Sequence, residues 1–144
     1  MSERNDILNQ LKTDIVANVK SSSDHYSSDI SKVKRGIFKW DVITDFPCVC
    51  FSLDNDTVDE DMFAENGTSQ VRNLDVYLYM YCEATELEYN SELHQLVDDL
   101  EYFFNNDFTY KDYTYIETIG FIEGGISTNC SFADMRIKIK YIKN

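Results

Sequence analysis

Leu74, Val76, Leu78, Met80 and Cys82 alternate with Asp75, Tyr77, Tyr79 and Tyr81. That period of two predicts a strand over residues 69–82 with one apolar face and one face of amphipathic tyrosines. A different period opens the chain. Ile7, Leu8, Leu11, Ile15, Val16 and Val19 fall at helical spacing, which predicts a first helix from about residue 2 or 5 to 20. The run SSSDHYSS at 21–28 stops it, because serines favour side-chain bonds to nearby backbone over helix. Leu93, Leu96, Val97, Leu100, Phe103 and Phe104 repeat the helical spacing, with Glu92, Asp98, Asp99 and Glu101 placed on the outer side. A second helix is therefore predicted at about 86–105. It starts at the Thr85-Glu86-Leu87-Glu88 capping box or at Asn90-Ser91, and it ends at Asn105-Asn106-Asp107.

Short strands fill the remainder. A loosely alternating run predicts one around Val33 to Trp40, and CVCFSL at 48–53 follows Pro47, a residue tolerated at a strand's first position. Residues 113–122 alternate with both rows β-prone, and Gly124-Gly125 marks a turn. In the last strand Ala133, Met135, Ile137, Ile139 and Tyr141 alternate with Asp134, Arg136, Lys138 and Lys140. The expected architecture is α+β, a mostly antiparallel sheet of about four to five strands packed with an N-terminal helix and the later one. At 144 residues one domain spanning 1–144 is expected, burying about 68–70% of its unfolded surface.

Charge changes this picture more than composition does. The formal net charge is −13, yet residues 1–40 carry net +2 and residues 136–144 net +4. Between them only Arg72 and Lys111 are basic, so the middle of the chain is strongly acidic. A sequence-independent grip on nucleic acid needs a basic footprint and is disfavoured. The segment DNDTVDEDMFAENG at 54–67 is expected to be a solvated acidic loop. As a calcium loop it fails on spacing: Asp54, Asp56 and Glu65 suit positions 1, 3 and 12, but Val58 and Asp59 occupy positions 5 and 6.

Catalytic chemistry finds little material. The sequence has no G-x-S-x-G, H-E-x-x-H, Walker or G-x-G-x-x-G pattern. Cys48, Cys50, Cys82 and Cys130 fall in predicted strands, and the lone C-x-C pair has no partner pair or nearby His to complete a zinc set. They are expected to be reduced, buried thiols, since MSERNDILNQ carries no secretory signal. His25 sits in the serine loop and His94 beside the helical stripe, without ligand spacing. No apolar stretch approaches the ~20 residues of a membrane span. No enzyme, cofactor or metal site is expected.

The succession of elements resembles the tail terminator, or tail completion, proteins of long-tailed bacteriophages. The residues that carry the resemblance are the N-terminal helix, Phe46-Pro47 leading CVCFSL, the excursion after it, LDVYLYMY, the helix ELHQLVDDLEYFF and the closing MRIKIKYIK. It covers nearly the whole chain as a pattern of elements, without an invariant motif. The resemblance implies a hexameric ring of this chain that caps the tail tube and joins it to the head connector or neck proteins. DNA would pass through without specific binding. The expected place is the virion's tail–neck junction, after synthesis in the host cytoplasm, with no membrane role. Candidate inter-subunit or tube contacts are Arg136, Lys138, Lys140, Tyr77, Tyr79, Tyr81, Asp54, Asp56, Asp59, Glu60 and Asp61. Two alternatives stay open: a head-completion or neck protein, and an acidic inhibitor of the immunity-protein type that blocks a basic partner by mimicking phosphate.

Overall fold

A computed structural model of the protein describes residues 3–36, 43–63, 70–83, 91–122 and 130–143. Helix α1 is Glu3–Asn18 and α2 is Ser91–Asn106; the strands are β1 Lys32–Arg35, β2 Cys48–Phe63, β3 Gln70–Glu83, β4 Thr114–Ile122 and β5 Cys130–Lys143, with a 3-10 turn at Lys111–Tyr113. The sheet order is β1-β2-β3-β5-β4. β1 runs parallel to β2, and the other three pairings are antiparallel. The expected α+β class, with a mostly antiparallel sheet and two helices, is what the chain adopts.

Both helices cover the same face of that sheet. Ile7, Leu8, Leu11 and Ile15 of α1 and Leu93, Leu96, Leu100 and Phe103 of α2 share one cluster with Leu74, Val76, Leu78 and Met80 of β3 and Met135, Ile137 and Ile139 of β5. Val16, expected on the apolar stripe, is instead 54% exposed.

Two polar residues of the helices are buried, and each serves the segment that follows the other helix. Asp14 of α1 accepts hydrogen bonds from Thr109 N at 2.9 Å and Thr109 Oγ1 at 2.6 Å, beyond the end of α2. Asp99 of α2, placed on the outer side by its sequence position, is buried. It accepts from Ser27 N at 3.2 Å and Ser28 N at 2.8 Å, beyond the end of α1. A buried carboxylate is tolerated when backbone donors replace its water. The Tyr26 hydroxyl donates to Asp107 across the same seam, and burial first, then that carboxylate, hold its pKa above the usual phenol value.

Strand β2 corrects two expectations. It does not end near residue 53: the acidic segment predicted as a loop is strand as far as Phe63, paired with β3, while 64–69 lie outside the described residues. The register moves from Leu53↔Val76 to Asn55↔Asp75, so Asp54 is an extra residue in a bulge. A shift of one residue exchanges faces. Asp56 therefore lands opposite Leu74, on the helix-covered side. There Arg4 Nη1 at 2.8 Å, Arg72 Nε at 3.1 Å and the Tyr141 hydroxyl at 2.7 Å donate to it. A second bulge, at Glu117 of β4, separates Ile116↔Ile137 from Thr118↔Arg136 and lets Ile116 and Ile119 both pack on the core. β1 is also shorter than predicted. Gly36, with φ of 106°, turns the chain through a region that glycine adopts without steric cost. Trp40 and the rest of 37–42 lie outside the described residues, as do the capping box and the Gly124-Gly125 turn.

Candidate functional site: the open face of the sheet

The side of the sheet away from the helices is built by the other row of each strand. Cross-strand register places Cys50 opposite Tyr79 and Ser52 opposite Tyr77 on β2 and β3, and Tyr77 opposite Arg136, Asp75 opposite Lys138 and Asn73 opposite Lys140 on β3 and β5. The tyrosines stack as a ladder, Tyr77 on Tyr79 at 6.3 Å and Tyr79 on Tyr81 at 6.4 Å between ring centroids. Phe132 of β5 lies 5.6 Å from Tyr81.

One end of this face is itself a small core. Ile43, Cys48, Cys50, Tyr81 and Cys130 are buried there, with Phe46, Tyr79 and Phe132 packed on them. Tyr81 is only 4% exposed, and burial raises its hydroxyl pKa. Tyr77 and Tyr79 remain half-buried. The four cysteines are buried thiols. Cys48 and Cys50 Sγ lie 3.8 Å apart, and that contact lowers the Cys48 pKa. Burial pushes Cys82 up to about 12 and Cys130 up to about 11, which keeps these two thiols protonated and poorly nucleophilic.

The other end is charged, and its charges meet within the chain. The Arg136 guanidinium sits 4.3 Å above the Tyr77 ring, a cation–π contact. Lys138 Nζ is 2.9 Å from Glu117 and 3.7 Å from Asp75, and Lys140 Nζ is 3.3 Å from Asp59. The hydrogen bond to Glu117 leads in raising the Lys138 pKa. Burial raises that of Asp75, with Lys138 opposing. Asp75 Oδ1 and Asn73 Oδ1 are buried without a hydrogen-bond partner. Asp134 lies over Gly120 of β4, where an added Cβ would meet its Oδ1 at 2.3 Å. A side chain at that position would make the Asp134 carboxylate swing aside.

The sequence-derived contact residues thus separate. Tyr77, Tyr79, Arg136, Lys138, Lys140 and Asp59 share the open face; Tyr81 is sealed at its end; Asp54 is exposed in the bulge; Asp56 belongs to the other face. Glu60 and Asp61 belong to β2, and their side chains lie outside the described residues. Asp75 and Glu117, which neutralise the basic row, were not singled out from sequence. Asp75 sits in the same alternating row as the tyrosines, so it could have been found; Glu117 could not, because a bulge sets its position.

Chemically the surface offers aromatic faces and paired charges. Among the described residues no group of three or more His, Cys, Asp and Glu is placed to hold a metal. No helix there is long and apolar enough to cross a membrane. His25 and His94 stack on Tyr102 at 5.0 Å and on Phe121 at 4.8 Å. The sequence profile of a family described as Bacteriophage Tail Tube Terminator Protein matches residues 1–140. No curated protein matches the chain.

Proposed function

The chain belongs to the bacteriophage tail tube terminator family, and we propose that it assembles as a hexameric ring that caps the finished tail tube and joins it to the head connector or neck proteins. The observation that carries this reading is the family match over residues 1–140. The open face supports it. A sheet whose two helices both cover one side, with a tyrosine ladder and a row of paired charges on the other, offers aromatic area and fixed polar groups of the kind that protein interfaces use. Tyr77, Tyr79, Arg136, Lys138, Lys140 and Asp59 form this contact surface toward the tube or a neighbouring copy, together with Asp54, Glu60 and Asp61 along β2. Tyr81 packs into the small core at one end of it, and Asp56 ties β2 to α1, β3 and β5 from the opposite face. The acidic middle of the chain keeps a ring's lumen from adhering to the phosphate backbone, so DNA passes without specific binding. The role is structural, within the virion at the tail–neck junction, and uses no cofactor.

Negative-stain imaging of the purified protein, with and without tubes assembled from the cognate tail tube protein, tests the reading. Rings, or caps confined to one tube end, are the expected result. Replacing Arg136, Lys138 and Lys140 together by Glu should release the caps while the fold persists. A small particle that never binds tubes would overturn the proposal and favour the acidic inhibitor, a monomer seeking a basic partner.

A further inference from the structure

The ladder between β4 and β5 stops before β5 does. Its last pair at this end is Thr114↔Ile139, whereas β3 stays paired with β5 as far as Gln70↔Lys143. The cause is local. In the 3-10 turn ahead of β4, Tyr113 N donates to Tyr110 O at 3.0 Å, which curls residues 110–113 out of the extended path that pairing needs. Among the described residues, 141–143 of β5 therefore have a strand on one side only. A ladder interrupted in this way is a template for another extended chain.

A groove runs along the gap. It encloses about 500 Å³ and is lined by Ile7, Tyr110, Tyr113, Tyr141 and Ile142. Tyr141 and Ile142 are consecutive, so their side chains lean to opposite faces, and a cavity that touches both lies against the side of β5 rather than over one face. Tyr113 and Ile142 are 63% and 56% exposed. Glu3 and Asp6, in the first turn of α1, bring two exposed carboxylates to the groove from the helix-covered side. Lys140 lines it as well, with Asp59 at 3.3 Å offsetting its charge.

We propose that this groove takes a short extended segment of a partner protein, one that alternates apolar residues with lysine or arginine. The segment's backbone continues the ladder on 141–143 of β5 in place of the missing length of β4. Residues opposite each other across two strands share a face. The one opposite Tyr141 thus points to the side of α1, where Glu3 and Asp6 receive a cation and the tyrosine rings attract it further. The one opposite Ile142 meets apolar surface. Among the described residues, β1 and β5 are the stretches of this chain with such a pattern, and both are already paired within its own sheet, so the segment comes from another protein. Docking here requires neither the ring nor the open face.

The probe is a short synthetic peptide alternating valine and lysine, blocked at both ends and titrated into the full chain while the backbone amide NMR signals are followed. Saturable shifts centred on Tyr113 and 141–143, with a dissociation constant below about 1 mM, are the expected result. Glu3→Lys with Asp6→Lys should weaken binding about tenfold or more. Glu92→Lys with Asp98→Lys changes the net charge equally at exposed positions of α2 and should leave binding within about twofold. Methylating the peptide's backbone amides, which removes its ladder donors, should abolish binding. An equal loss in the two charge variants would reveal only a general attraction to an acidic protein and overturn the proposal, as would the absence of saturation or indifference to methylation. Shifts of the same amides with protein concentration alone would assign the groove to a second copy of this chain, which also overturns it.

Discussion

Strand β5 belongs to two environments at once. Ala133, Met135, Ile137 and Ile139 are 0% exposed beneath the helices, while Asp134, Arg136, Lys138 and Lys140 between them stand half-buried on the open side. On the covered face each side chain contributes by the apolar area it removes from water, about 25 cal/mol per Å². On the open face Arg136, Lys138 and Lys140 contribute by pairing with a ring or a charge, which for partly exposed groups amounts to about 0–1 kcal/mol. Along this strand stability is therefore concentrated on the covered side. The charged end of the open side, away from the small core around Tyr81 and Cys50, can specialise in contact with little effect on folding.

The sharpest way to break this contrast is to remove packing under the sheet. Phe103 is fully buried and meets the Phe104 and Phe108 rings at 5.1 and 5.7 Å. Phe103→Ala should cost about 3–5 kcal/mol, seen as a lower urea midpoint with the slope retained. A loss under 1 kcal/mol would mean that the covered face is not the main source of stability. Next in size is a polar group on that same side. Asp99→Ala leaves the Ser27 and Ser28 amides without their acceptor and should cost about 2 kcal/mol. Hydrogen exchange should then accelerate first at residues 26–28.

The smallest effect belongs to the open face and depends on pH. Burial holds the Asp75 carboxyl above its ordinary value, opposed by Lys138. A raised folded-state pKa gives stability that is present in acid and lost as pH rises through that value. Asp75→Asn escapes this loss. The variant should match the parent near pH 3 and equal or exceed it at pH 7, by less than about 1 kcal/mol. Greater destabilisation at pH 7 than at pH 3 would show instead that the ion pair with Lys138 dominates.

Much of this arrangement is legible in the sequence because the periods are clean. LDVYLYMYC on β3 and FADMRIKIKY on β5 assign their faces correctly, and both helical stripes mark real helices. The misreadings have physical causes. DNDTVDED looks like a loop because its acids break the alternation, yet β3 continues to supply ladder partners. The bulge at Asp54 then sends Asp56 to the covered side, where it meets Arg4, Arg72 and Tyr141. Asp99 reads as solvent-facing because its acceptors' partners, the amides of Ser27 and Ser28, lie more than seventy positions away. Composition identified the basic row Arg136, Lys138 and Lys140. It could not supply cross-strand register, which gives those cations Tyr77, Glu117, Asp75 and Asp59 as neighbours.

The crossed carboxylates of the two helices carry a further consequence. Since Asp14 holds the segment after α2 and Asp99 holds the segment after α1, neither helix can leave the sheet without releasing the other's exit strand. The two halves of the helical layer are thus coupled, although they are separated by more than seventy residues of chain and three strands. During biosynthesis α1 stays without its lock until α2 has emerged, which puts the completion of this subunit late in its own translation.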